Sequence, residues 1–288
     1  VSATPVGNTI HLSWDQAPCD RTIGYDLYRR DGFYGLDPGP CEPGVPEASG
    51  YVKIATLEGI ADTTFIDDNE GMGLVHGIDY CYTIVAFFAD GSESYPSLEA
   101  CATLKKDVPI ITNVSVTETS ASAGEMYVAW SKPTEMDTLI FGGPYKYVVN
   151  RADNENPQFV EIGETTGIND TMYVNASGLN TRQQKYSYRV DLYSLADDQE
   201  VLVGSTQVAR SMYLGISPTD EALQLSWIHE APWFNHRYNI HRFNPETEVF
   251  DSIGFSTQTF YTDTNLVNGE EYTYFVESVG EYSAPGLV

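Results

Sequence analysis

Three times in 288 residues a short alternating run ends in tryptophan: "TIHLSW" (Thr9–Trp14), "EMYVAW" (Glu125–Trp130) and "ALQLSW" (Ala222–Trp227). In each, apolar side chains fall on every second position: Ile10, Leu12, Trp14; Met126, Val128, Trp130; Leu223, Leu225, Trp227. That is the period of a strand with one buried face. The same phrases then follow each run in the same order. A Tyr–x–aliphatic–x–Arg phrase comes first, beginning at Tyr25, Tyr147 and Tyr238. Next come "YVKIAT", "FVEIGE" and "FDSIGF", sharing aromatic–x–x–Ile–small, and then "FID", "YVN" and "YTD". Each set closes with a Leu (Leu74, Leu179, Leu266) and a Tyr–x–Tyr strand: "YCYTIVA", "YSYRVDL", "YTYFVES". Self-similarity at this spacing means a repeated domain.

The composition leans the same way. Twenty Tyr and 12 Phe, Gly and Pro spread throughout, and no segment of ten residues with helical periodicity favour many short strands. The repeats run over 1–105, 106–211 and 212–288, each with six or seven strands, the size of an immunoglobulin-like sandwich. The expected fold is therefore all-β: three tandem sandwiches, the third closing just after its sixth strand and so lacking its last. A truncation, or a neighbouring segment supplying the strand, accounts equally for that ending. The joints "KKDVP" (Lys105–Pro109) and "ARSMYLGISP" (Ala209–Pro218) contain no Gly/Ser-rich spacer and read as short and stiff.

The order of landmarks, with Trp on the second strand, Tyr on the third and Tyr–x–Tyr on the sixth, resembles the fibronectin type III domain across the whole chain. The resemblance implies that Tyr80, Tyr186 and Tyr272 form a tyrosine corner, whose hydroxyl ties the preceding loop to the sheet. The second repeat reads "NTRQQKY" without the family's Gly, so its corner is expected to be built differently. Tyr25, Tyr147 and Tyr238 share a face with Leu27, Val149 and Ile240, and point into each core. Arg29, Arg151 and Arg242 continue that face, with stems covering apolar surface and charges reaching water.

Four cysteines, all within the first 101 residues, suggest two disulfides, Cys19–Cys41 and Cys81–Cys101, and an oxidising location. On its strand Cys81 alternates with Tyr80 and Tyr82, so a cross-strand bridge on the outer face is expected. The net charge of −26, with only 15 Lys and Arg, excludes a nucleic-acid binder. It also argues against anionic membrane surfaces. There is no signal peptide and no apolar run long enough to span a bilayer, so no membrane insertion is expected. The chain reads as a piece of a longer secreted protein.

No Gly-x-Ser-x-Gly, His-Glu-x-x-His or P-loop occurs, so no catalytic residue and no cofactor is assigned. "GMGLVHG" (Gly71–Gly77) is a turn with a strand after it, not a phosphate cradle. His229, His236 and His241 lie near one loop, with spacing that fits no standard metal set. The acidic run Asp67–Gly71 offers oxygens for calcium but lacks the alternation of an EF-hand loop, and a solvated turn is the plainer reading. Two unrepeated loops remain. Asp31–Tyr51 is a long insertion presenting Phe33 and Tyr34, or else a loop folded back on its own sandwich. "APWFNHRY" (Ala231–Tyr238) places Trp233 and Phe234 where they stack on a ligand, plug the sandwich end or pack on the second repeat.

Longer phrases, "YCYTIVAFFADGSESYPSLEACATLKKDVPIITNVSV" and "FYTDTNLVNGEEYTYFVESVGEYSAPG", are similar to large surface proteins of Bacteroidetes. Those carry a gliding-motility-associated C-terminal domain and leave by type IX secretion. This implies a secreted or cell-surface location reached through the periplasm, and O-glycosylation at Asp-Ser/Thr-aliphatic sites: Thr63, Thr138, Thr171 and, least convincingly, Ser252. The expected function is a non-catalytic segment that spaces and presents other domains of the same protein. Cell-surface proteins, secretion machinery or glycans are its expected contacts. The alternatives are a carbohydrate- or protein-binding segment using loop 31–51 and Trp233, and an accessory region of a polysaccharide-degrading enzyme.

Overall fold

The computed structural model describes residues 1–36, 43–153 and 158–282. Among them are 21 strands and two short 3-10 turns, arranged as three tandem immunoglobulin-like sandwiches. The first has β1 (Ser2–Val6), β2 (Thr9–Ser13), β3 (Thr22–Asp31), β4 (Val52–Leu57), β5 (Thr64–Asp67), β6 (Asp79–Phe88) and β7 (Ala100–Thr103). Its sheets are β1-β2-β5 and β4-β3-β6-β7. The second has β8 (Ile110–Glu118), β9 (Gly124–Ser131), β10 (Tyr145–Asp153), β11 (Val160–Thr166), β12 (Met172–Leu179), β13 (Tyr186–Ser194), β14 (Val201–Ser205) and β15 (Ala209–Arg210). Here β12-β9-β8 faces β11-β10-β13-β14, with β15 also paired to β13. The third has β16 (Tyr213–Thr219), β17 (Ala222–Ile228), β18 (Phe234–Asn244), β19 (Val249–Ser256), β20 (Phe260–Thr264) and β21 (Tyr274–Glu281), in sheets β16-β17-β20 and β19-β18-β21. Among the described residues β21 pairs with β18 alone, where β6 and β13 each carry a further strand.

By compactness the chain divides in two: residues 1–108 with 134–136, and residues 109–133 with 137–288. The second and third sandwiches thus share one unit. The short run 134–136 belongs to the first through Lys106, whose carbonyl accepts the Thr134 and Glu135 amides.

The repeated phrases are core. Trp14, Trp130 and Trp227 meet Tyr25, Tyr147 and Tyr238 edge-on, with ring centroids 5.6, 5.2 and 5.1 Å apart. All three corners form. The Tyr80, Tyr186 and Tyr272 hydroxyls accept the Val75, Asn180 and Val267 amides at 2.9, 3.0 and 2.9 Å, each amide following the repeat's Leu. The second corner keeps this geometry with one more residue in its loop.

The aromatic–x–x–Ile–small phrase encodes a β-bulge. Pairing skips one residue after Leu27, Val149 and Ile240, and the residue left out opposite is Ile54, Ile162 or Ile253. In the second and third sandwiches the bulged carbonyl accepts the Tyr173 or Tyr261 hydroxyl from the facing sheet, at 2.9 and 3.1 Å. The next residue is glycine in both, because a Cβ at Gly163 would lie 2.3 Å from the Tyr173 hydroxyl and one at Gly254 2.8 Å from that of Tyr261. The first sandwich has Ala55 there and Phe65, without a hydroxyl, opposite. Gly163→Ala should therefore cost about 1–3 kcal/mol. Adding Tyr173→Phe should recover part of that loss, and strictly additive effects in a double-mutant cycle would contradict the packing argument.

Candidate functional site

Arg29 and Arg242 end on buried carboxylates rather than in water as expected. In the first sandwich Arg29 Nη1 donates to both oxygens of the buried Asp67 carboxylate at 3.0 and 2.9 Å. The Tyr82 hydroxyl donates to the same group at 2.9 Å. Burial and the neighbouring carboxylate push the Tyr82 hydroxyl well above the ordinary tyrosine range, so it stays a donor. The Arg29 guanidinium also lies 5.5 Å from the centre of the corner ring, Tyr80. The third sandwich repeats this: Arg242 and Tyr274 each donate to Asp263 Oδ2 at 2.7 Å, with Arg242 5.8 Å from the Tyr272 ring. In the second the acid is replaced by Asn175, which bonds Tyr188 at 3.0 Å, and Arg151 turns to Ser177 Oγ at 3.3 Å. "FID", "YVN" and "YTD" thus supply the polar partner that joins the two sheets.

That arrangement also engages two residues of the acidic run Asp67–Gly71. Asp67 is taken up by Arg29, Tyr82 and the Asn69 amide at 3.1 Å, and Asn69 Oδ1 accepts from Arg29 Nη2 at 3.0 Å. Among the described residues no three metal-ligating side chains converge. The three histidines separate. His229 is packed against Trp233 and Tyr238, and burial lowers its pKa. His236 pairs with Glu281 at 3.0 Å, and His241 stacks on Phe275 with centroids 4.3 Å apart.

Cys81 and Cys101 are bridged across β6 and β7, where they stand directly opposite. Cys81 is fully buried, not on an open outer face as expected. The side of β6 bearing Cys81, Thr83 and Val85 is buried like the core side, because the chain after β3 folds back over it. Cys19 is exposed and, among the described residues, carries no bridge. Its expected partner Cys41 lies outside the described residues.

The fold-back is organised by Glu99. Its carboxylate accepts the Tyr34, Gly35 and Leu36 amides at 3.1, 2.7 and 2.6 Å, and the Tyr51 hydroxyl at 2.5 Å. The Gly44 amide reaches the Ser94 carbonyl at 2.9 Å. Leu36, Ser49 and Tyr51 are buried in the process. Phe33 and Tyr34 stay out, at 71% and 45% exposure, as does Leu98 beside Glu99 at 77%. The Arg30 guanidinium lies 5.4 Å from the Tyr34 ring centre. Among the described residues of the loop, those next to its two ends are bonded back to the sandwich through Glu99, while Phe33 and Tyr34 stay exposed. Burial pushes the Glu99 carboxyl up, but the Tyr51 hydroxyl and the three amides outweigh it and hold the group below the ordinary range. The clasp is therefore complete above the ordinary glutamate value and is lost as pH falls through the depressed one. Glu99→Gln should speed proteolytic cleavage within 31–51 about tenfold or more at neutral pH, since hydrogen bonds to a charged group carry about 1.5–3 kcal/mol. Cleavage at the wild-type rate would rule the clasp out.

Trp233 is half-buried, edge-on to His229 and Tyr282 at 6.1 Å each, so it packs within the protein, while Phe234 is 67% exposed. Thr138 is exposed in a turn closed by Asp137. Thr63 and Thr171 are half-buried, their carbonyls accepting the Trp14 and Trp130 amides. Thr171 also lines a shallow hollow of about 540 Å³ with Glu164, Asn169 and Asp170.

No protein-family model matches the chain. Its sequence is 26% identical over 293 residues to Exoglucanase B of Cellulomonas fimi, covering 95% of this chain and 23% of that protein. Among solved structures, the chicken CNTN1 FN1-FN3 domains align over 96% of this chain and 90% of theirs, at 13% identity and a TM-score of 0.27. Among the described residues no helix is long and apolar enough to cross a membrane. Sequence reasoning missed Glu99. Its signal was faint: a single acid beside the strand that carries Cys101, facing a loop whose amides lack strand partners.

Proposed function

We propose that this chain is a non-catalytic, extracellular tandem-sandwich segment that spaces and presents other parts of a larger protein. The observation that carries the reading is where the polar chemistry goes. Two buried carboxylates of the first and third sandwiches, Asp67 with Arg29 and Asp263 with Arg242, are closed into sheet-to-sheet pairs. The Cys81–Cys101 bridge supports an oxidising location. Similarity to Exoglucanase B, over less than a quarter of that protein, supports a place within a modular polysaccharide-degrading enzyme. Export through the periplasm by type IX secretion, with sugar on Thr138 before Thr63 or Thr171, belongs to the same proposal and is supported by the phrases quoted above.

A second reading is favoured by the Glu99 clasp, which holds Phe33 and Tyr34 exposed on a fixed backbone: these rings contact a neutral glycan. One experiment addresses both. The chain is incubated with soluble and insoluble β-glucans, and reducing ends and bound protein are measured. No release of reducing ends is expected, and turnover would overturn the non-catalytic reading. Binding to the insoluble glucan that disappears in Phe33→Ala/Tyr34→Ala would establish the contact, and unchanged binding would remove it.

A further inference from the structure

The second and third sandwiches meet inside one compact unit with no spacer: β15 ends at Arg210 and β16 begins at Tyr213. On one side the meeting is ionic. Lys185 Nζ reaches Glu230 Oε2 at 3.1 Å, Arg210 Nη1 donates to the same oxygen, and the Arg210 amide donates to the Glu230 carbonyl at 3.0 Å. Lys185 precedes β13 of the second sandwich, and Glu230 follows β17 of the third. The Arg210 hydrogen bond, opposed by partial burial and reinforced by Lys185, holds the Glu230 carboxyl below its ordinary range. Beside it, buried Ser211 is bonded to Tyr186 in both directions, amide to carbonyl and amide to hydroxyl, each 2.9 Å. The next residue, Met212, packs on the third core.

A separate anchor lies elsewhere in sequence and on the other sheet. The buried Tyr282 hydroxyl donates to the Ile111 carbonyl of β8, and Tyr282 is edge-on to Trp233. One anchor alone would act as a hinge. With one on the β13 sheet and one on the β8 sheet, rotation about either breaks the other.

We propose that the second and third sandwiches are one cooperative folding unit, a stiff double module clamped at Glu230 and Tyr282. Unfolding of the third alone would leave the Ile111 carbonyl, Lys185 and Arg210 without these partners and strip Met212 of its apolar cover. The cost of that loss is what couples the two. The inference is independent of what the module presents: turnover would overturn the non-catalytic reading, glycan binding would establish the aromatic contact, and either would leave the coupling untouched.

Hydrogen exchange of the full chain, followed by mass spectrometry across a denaturant series, tests it. The slowest amides of β17 and β18 should open at the same denaturant concentration as those of β9 and β10. Glu230→Gln with Tyr282→Phe should separate them, raising exchange in β17 and β18 about tenfold or more with β9 and β10 unchanged, for loss of a charged and a neutral bond. Opening of the third sandwich ahead of the second in the wild-type chain would overturn the proposal, as would a double variant that leaves the two together.

Discussion

Replacing Arg29 with Met should destabilise the first sandwich by about 3–5 kcal/mol, because it leaves the Asp67 carboxylate buried without its cation. For a sandwich of about 100 residues that is a fall of well over 10 °C in melting temperature. The same substitution at Arg151 should cost about 1 kcal/mol or less: Asn175 carries no charge, and Arg151 makes a long bond to Ser177 and lies 5.3 Å from the Tyr186 ring centre, a contact that Arg29 also makes with its own corner tyrosine. The comparison is internal to one chain, with strand position and neighbouring corner tyrosine matched. Urea unfolding of the two variants provides the measurement, and equal small effects would show that the Asp67 pair does not carry the energy argued for it. Arg29→Met with Asp67→Leu should regain most of the loss, since removing both partners of a buried pair is often near neutral.

Tyr25→Ala should cost a comparable ~3–5 kcal/mol, the range for truncating a large buried aromatic. The ring is buried against Trp14. Its hydroxyl leaves the core to accept the Ala17 amide at 2.9 Å and to donate to the Ile60 carbonyl at 3.1 Å. Tyr25→Phe keeps the ring and loses those bonds, so it should cost about 0.5–1.5 kcal/mol. The gap between the two variants isolates packing, and an unchanged melting temperature in Tyr25→Ala would remove Tyr25 from the core.

What the sequence made legible was whatever repeats with a strand's period. Trp14, Tyr25 and Leu27, with their counterparts, identify themselves by alternation, and Tyr80, Tyr186 and Tyr272 by their place before the sixth strand. The Arg29–Asp67 pair was hidden although both residues sit in repeated phrases. Alternation says which face a side chain takes, not which residue of the opposite sheet it meets, and the partners are 38 residues apart. The Asp-to-Asn change at Asn175 was the available clue. Glu99 and the Tyr282–Ile111 contact occur once each, so no repetition exposed them. The depth of Cys81 escapes the sequence for a related reason. Alternation along β6 predicts one solvated side, and the insertion that folds back beside it announces itself only by length.

The bridge between β6 and β7 changes how the first sandwich would carry load. A chain drawn out at its C-terminal joint would ordinarily shed its last strand first, one hydrogen-bonded pair after another. Here Cys81 and Cys101 route tension from that joint past β7 and into β6, and the 20-residue span between them cannot pay out. At about 3.3–3.6 Å per residue, roughly 65–70 Å of slack stays locked while the bond is oxidised. In a reducing medium the same pull would find that length free.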